Sequence, residues 1–271
     1  MSLYIVERGQ GPAILLVHGS AADAEAFTIP LALLSDEKGE RPHRVVAYDR
    51  RGTRRSALSA AEQGEQGPTV EDHAEDAARI ISERGLAPAL AVGSSFGAVV
   101  ALELARRHRS SLRGIALMEP PISASDTDPA VPDGFWAEFE EHRTAGGPEA
   151  SAEYFLRRVL GDGFARLTEA HLRRALSHAE AIRLDARALE RYRVRYDTLS
   201  TLGVPTLLLG GARSPAYFAK TMDALEKALG PWCLRRQTLS AGHMMYAEAA
   251  RSFRDAIFDF ERLLSSTSSR G

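Results

Sequence analysis

Short apolar runs of β type alternate with longer helical patterns through the first 120 residues, stop, and resume after residue 204. Alternation of this kind leads to right-handed βαβ units and a mostly parallel sheet covered by helices. The runs are LYIVE (3–7), AILLVHG (13–19), RVVAYD (44–49), ALAVG (89–93) and GIALM (114–118), then VPTLLLGG (204–211) and CLRRQTL (233–239). The spacing of Val70, Ala74, Ala77, Ala78 and Ile81 predicts a helix over 69–85, with Thr69 as N-cap and Gly85 just past its end. Further helices are expected at 96–108, 215–229 and 246–264, and the tail SSTSSRG is expected to be disordered. Between 122 and 198 strands vanish and amphipathic segments follow one another: DGFWAEFEEHR, PEASAEYFLRRVL, TEAHLRRALSHAE and DARALERYRVRY. The expected fold class is α/β, with residues 1–121 and 199–271 forming the sheet core and residues 122–198 an inserted helical cap.

The stretch AVGSSFGAVVALELA (91–105) sits where a strand should turn into a helix. A serine hydroxyl becomes a useful nucleophile only when a sharp turn holds it out beside a base and oxyanion donors. Such a turn crowds its own backbone, so the positions two before and two after the nucleophile must be tiny. Gly93 and Gly97 satisfy that rule for Ser95, whereas Ser94 would put Val92 and Phe96 in the crowded places. The competing reading, a glycine-rich nucleotide-binding turn, lacks both G-x-G-x-x-G and G-x-x-x-x-G-K-[ST].

Composition narrows the class of partner. Net charge is −2, and charged residues make up 26% of the chain, so nothing electrostatic favours nucleic acid or an anionic membrane. The single cysteine, Cys233, excludes an internal disulfide and a Cys-based metal cluster. No His/Asp cluster at ligand spacing points to a metal, no cofactor is called for, and the expected partner is a small-molecule substrate, with a homodimer compatible. The N-terminus MSLYIVERGQGP lacks signal-peptide character and no run reaches the length of a membrane span, which leads to an expected cytoplasmic location.

With those motifs in place, the chain resembles the α/β-hydrolase fold superfamily over nearly its full length. LLVHG (15–19) resembles the strand and His-Gly turn of the oxyanion loop, YDRRGTRRS (48–56) the Asp-x-Arg-Gly-x-x-x-Ser segment, GSSFG the nucleophile elbow, and SAGHMMY (240–246) the turn carrying the catalytic histidine. Ser94 departs from the His that is very often found before the nucleophile. The fold's usual first strand is expected to be absent, since the first run begins so near Met1.

Eight histidines compete for the role of base. His43, His73, His108, His142, His171 and His178 are expected at solvated surfaces, and His18 resembles a loop-orienting residue. His243, in a Gly-flanked turn after the last strand and after the serine in chain order, is the expected base. The orienting acid departs from the common pattern: where relatives read Gly-x-x-Asp-Pro the sequence reads GARSP (211–215), with Ser214 in place of Asp. The second position used in this fold, by some dehalogenases and some lactonases, is the end of the strand after the elbow helix, and there GIALMEPPIS presents Glu119. Asp223 and Asp197 are weaker candidates. The expected oxyanion donors are the backbone N–H groups of Phe96 and Ser20, with Gly19 or Ala21 as substitutes for Ser20.

The cap holds eight of the aromatics, among them Trp136, Phe139, Tyr154, Phe155 and Tyr192. They either line an apolar pocket or fasten the cap to the core. Epoxide hydrolases and dehalogenases of the fold use an Asp nucleophile, so Ser95 implies acyl transfer. The resemblance therefore implies an esterase- or lactonase-like serine hydrolase acting on an ester, lactone or thioester through an acyl-enzyme, with triad Ser95, His243 and Glu119. The alternative is a non-hydrolytic relative: a tailoring cyclase, a cofactor-free oxygenase or a small-molecule binder.

Overall fold

Strands that must be buried on both faces need apolar side chains at every position, and AILLV, ALAVGS and LRGIALM meet that requirement almost throughout. The computed structural model describes residues 2–37, 39, 42–59 and 66–268. Its sheet contains β1 (Ile5–Arg8), β2 (Ala13–Val17), β3 (Arg44–Tyr48), β4 (Ala89–Ser94), β5 (Leu112–Met118), β6 (Thr206–Gly211) and β7 (Cys233–Leu239). The spatial order is β1-β3-β2-β4-β5-β6-β7; β1 runs antiparallel to β3 and the other pairs are parallel.

One face of the sheet is covered by α2 (Val70–Glu83), α3 (Phe96–Arg107) and α7 (Ala216–Leu229). The other is covered by α1 (Thr28–Ser35), the short α8 (Met245–Glu248) and α9 (Ala250–Ser268). Between β5 and β6 the chain builds α4 (Phe135–Leu160), α5 (Glu169–Leu176) and α6 (Ala179–Arg191), which gather a small core of their own around Phe135, Phe139, Ile182 and Ala186. Gly147, at φ +81°, breaks α4, and Pro148 restarts it because a helix tolerates proline only in its first turn.

Several local expectations meet their structural counterparts here. Thr69 caps α2, and Thr69 and Asp72 exchange hydrogen bonds as a capping box. Helix α1 had no counterpart in the sequence reading, because its apolar residues TIPLALLS give almost no amphipathic contrast. Helix α9 runs to Ser268, through most of the tail expected to be disordered; its last three residues lie outside the described residues.

The surface expectation for the histidines is corrected at three positions. His43, His73 and His178 are buried, like His18. His73 shares the inward face of α2 with Val70, Ala74 and Ala77 and packs edge-on against Phe96, so its place in the apolar phase was the readable signal. His43 pairs with Glu261, and His178 lies 3.5 Å from an Asp23 oxygen. Burial holds His18 and His73 well below the ordinary histidine pKa, with the Arg50 charge acting in the same direction.

The turn from β4 into α3 leaves no room for a Cβ at either of its glycines. A Cβ on Gly93 would stand 2.1 Å from the Gly97 carbonyl oxygen, and one on Gly97 would stand 2.1 Å from the Val17 carbonyl oxygen. Backbone cannot yield as a side chain can. Gly97→Ala is therefore expected to cost about 3 kcal/mol or more and to lower Tm by roughly 6–12 °C, against about 1 kcal/mol for Gly85→Ala, whose left-handed position has open space around it. Equal Tm losses for the two variants would contradict the close approach.

The buried histidines set an acid limit on stability. Both His18 and His73 are neutral when folded and bind a proton when the chain unfolds in acid, so their depressed folded pKa values leave stability intact above about pH 6.5 and erode it below. The loss approaches about 1.4 kcal/mol per pH unit for each group. Urea unfolding between pH 7.5 and 5.5 should show this slope, and His73→Phe should flatten it; an unchanged slope would assign the acid sensitivity to other groups.

Candidate active site

The register of β4 against β5 sets Ser94 beside Met118, so Ser95 and Glu119 each stand one residue past the end of adjacent parallel strands. The edge formed by the carboxyl ends of parallel strands is where such sheets build their sites. Ser95 has φ +54° and ψ −122°, Glu119 has φ +44°, and both conformations are costly for residues with a Cβ. The Ser95 N–H donates to the Met118 carbonyl at 2.8 Å, and the Glu119 N–H donates to Leu209 at 3.3 Å, which fixes both turns to the sheet.

Glu119 is 2% exposed and its carboxylate is fully engaged. Oε1 accepts the Gly211 N–H at 2.7 Å. Oε2 accepts the Ser214 hydroxyl at 2.9 Å and meets His243 Nδ1 at 2.7 Å. The serine in the place of the usual aspartate thus reaches the same imidazole indirectly, as a donor to the carboxylate that touches it. A carboxylate at 214 would set two like charges against one ring nitrogen. The His243 ring is also stacked on Phe218, with centroids 4.4 Å apart and planes at 13°. Its Nε2 is buried and has no hydrogen-bond partner among the described residues.

Ser95 and His243 line one cavity of about 400 Å³. The hydrogen bond between them is not formed; such bonds are often open before substrate arrives. A second cavity, of about 540 Å³, also reaches Ser95, and the two share Ser20, Ser95, Phe155 and Val159. The first extends past Ile29, Leu167 and Met244, the second past Ile122, Val131 and Leu189. Arg158 and Lys220 stand at the second cavity.

Of the five aromatics proposed for the pocket, Phe155 lines both cavities, and the other four lie elsewhere. Trp136 packs under the Arg187 guanidinium, Phe139 is sealed within the small core of α4 and α6, and Tyr154 bonds Glu138 and stacks on His142. Tyr192 is buried in the sheet-face core with its hydroxyl on Glu103 at 3.2 Å. Aliphatic residues of α4 and the loop after β5 take their place, joined by Tyr246 in the first cavity and by Phe135 and Tyr217 in the second, and the aliphatic ones carry no motif by which sequence could mark them.

Phe96 opens α3 directly after Ser95, and Ser20 lines both cavities that reach Ser95. A Cβ on Gly19 would lie 3.0 Å from Ser95 Cβ, so the loop after β2 runs in contact with the serine. His18 Nδ1 bonds the Gly19 carbonyl at 2.8 Å, and its Nε2 accepts the Arg50 N–H at 3.0 Å, which assigns the Nδ1–H tautomer and keeps the ring out of acid–base work. Among the described residues no three His, Cys, Asp or Glu side chains are grouped to hold a metal ion, and no helix is long and apolar enough to cross a membrane.

The fold superposes on a thermophilic esterase from Thermogutta terrifontis with a TM-score of 0.76 at 24% identity, covering 97% of this chain and 93% of the other. It superposes on the enol-lactonase of Burkholderia xenovorans LB400 with a TM-score of 0.75 at 22% identity, covering 96% of each chain. An uncharacterized hydrolase of Bacillus subtilis (strain 168), YraK, is 40% identical over 113 residues, a match spanning 42% of this chain and 39% of that protein. The sequence pattern of the alpha/beta hydrolase family matches residues 14–256, most of the chain from β2 to α9, and the chain belongs to that family.

Proposed function

We propose that the protein is a serine hydrolase that cleaves an ester, lactone or thioester of a medium-sized apolar substrate through an acyl-enzyme. One observation carries the reading: a buried carboxylate holds His243 by Nδ1 at 2.7 Å while the opposite ring nitrogen is left unpartnered at a cavity shared with Ser95. A ring held this way is ready to accept a proton at Nε2 and to be stabilised as the cation that results.

In the proposed sequence Ser95 Oγ attacks the substrate carbonyl and passes its proton to His243 Nε2. The oxyanion is met by the N–H groups of Phe96 and Ser20. His243 then gives its proton to the departing alkoxide or thiolate, leaving an acyl group on Ser95. Water, deprotonated by the same ring, releases the acid and restores the serine. Glu119 carries its negative charge throughout, steadied by Gly211 and Ser214.

The two cavities give the substrate its shape. Because His243 borders only the first, the leaving group belongs there, and the acyl portion extends into the second. The apolar linings of both support a substrate with bulk on each side of its scissile bond, and acetyl esters fill only part of that space.

A fluorophosphonate probe is expected to label the wild-type protein and not Ser95→Ala, read by fluorescence in a gel; equal labelling would end the assignment of the nucleophile. Glu119→Gln is expected to lower kcat on 4-nitrophenyl butanoate by roughly a thousand- to ten-thousand-fold with the fold intact by circular dichroism. Near-normal turnover in that variant would move the acid to another residue.

A further inference from the structure

Arg50 is the largest side chain that the interior hides completely, and the hydrogen bonds of its guanidinium run to the loop after β2 and to the helical segment above it. Its Nε donates to the His18 carbonyl at 2.9 Å, and one terminal nitrogen donates to the Gly19 carbonyl at 3.1 Å. The guanidinium also grips both oxygens of Asp185 on α6, at 3.0 and 2.6 Å, in the two-pronged geometry that suits a planar fork. Its carbon lies 4.5 Å over the Phe96 ring. Asp185 is itself 3% exposed.

The Gly19 carbonyl therefore accepts two bonds, from Arg50 and from His18 Nδ1, both on its buried side. A trans peptide is planar and carries its N–H opposite its C=O. Pinning the Gly19 oxygen toward Arg50 turns the Ser20 N–H the other way, and Ser20 lines both cavities that meet at Ser95. The same guanidinium packs on the residue that supplies the second donor.

We propose that Arg50 and Asp185 are positioning residues for the oxyanion hole, so that seating α6 on the core and aiming the Ser20 N–H are a single event. Neither side chain touches substrate. The helical segment thereby does more than roof the cavities: it completes the donor pair. This inference rests on the serine-hydrolase reading, because an oxyanion hole has a purpose only if a tetrahedral intermediate forms.

The test exploits the separation of charge from shape. The double variant Arg50→Met/Asp185→Leu removes both charges together and orphans neither, an exchange that interiors often accept without loss of stability. Its Tm is expected near that of the wild type, with kcat on 4-nitrophenyl butanoate reduced about ten- to hundredfold, below the full loss of one donor, and KM changed less than about threefold. Affinity for an alkyl boronic acid, which mimics the tetrahedral state, should fall by the same factor as kcat/KM, while affinity for butanoate, a planar product, should not. If the double variant fails to fold, Asp185→Asn, which keeps shape and one acceptor, is read by the same ratio of boronic-acid to butanoate affinity. A folded variant with unchanged kcat and unchanged boronic-acid affinity would overturn the proposal, as would equal weakening of both ligands. Failure of the underlying reading looks different: the wild-type protein would then leave the fluorophosphonate probe unreacted.

Discussion

The pairing register of β4 with β5 is the constraint on which the rest of the site depends. It sets residue 94 beside 118, and the first residue beyond each strand turns away from the sheet in a left-handed conformation. Ser95 and Glu119 are two of only five such non-glycine residues among those described, and they are neighbours. Strain of about 1–3 kcal/mol at each is held in place by parallel strands buried on both faces. Were the register to slip by one residue, the inward and outward faces of β5 would exchange and Glu119 would leave the end of the strand. Precision at the site is thus inherited from apolar packing that has no chemistry of its own.

The position of Glu119 follows from the same sheet. Met118 pairs with Leu209 on β6, which brings Gly210 and Gly211 alongside Glu119 and allows a backbone N–H to approach Oε1. At Gly210 a Cβ would come 3.7 Å from that oxygen, which is ordinary contact, so reach rather than clearance governs this side. Glutamate has one more methylene than aspartate, and from the end of β5 it spans to both the β6 turn and the ring of His243. Ser214 then fits as a hydroxyl donor. Two departures that look independent along the chain, at 119 and at 214, form one hydrogen-bonded unit in space.

Much of this was legible because it is local. The strands, the α2 cap, the elbow glycines and the histidine turn each rest on a pattern within ten or so residues, and local patterns survive reading in one dimension. Position 119 was readable as a charge immediately after a buried strand. What escaped is non-local or unmarked: α1, whose apolar residues lack a helical contrast; the burial of His43 and His178, which depends on partners more than a hundred residues away; and the aliphatic linings of the cavities. Trp136, Phe139 and Tyr154 illustrate the ambiguity of aromatic density. The same rings can face a ligand or one another, and spacing along a helix does not distinguish the two.

The contacts between the helical segment and the core are largely ionic where they approach the loop after β2. Arg174 on α5 pairs with Asp23 and Glu25, while Arg50 reaches up to Asp185. Burial alone would push the Asp23 carboxyl up, but His178 beside it and the Arg54 and Arg174 guanidiniums bonded to it outweigh that and hold the group well below the ordinary carboxylate range. Buried pairs of this kind contribute little net stability over apolar residues of equal volume, yet losing one partner costs about 3–5 kcal/mol because the other charge is stranded. An apolar seam could hold the helices down as firmly, but it would do so without direction, since dispersion contacts tolerate sliding and rotation. A planar guanidinium with five donors does not. It fixes the bearing of every carbonyl it binds, and here two of those carbonyls belong to the loop that lies against Ser95.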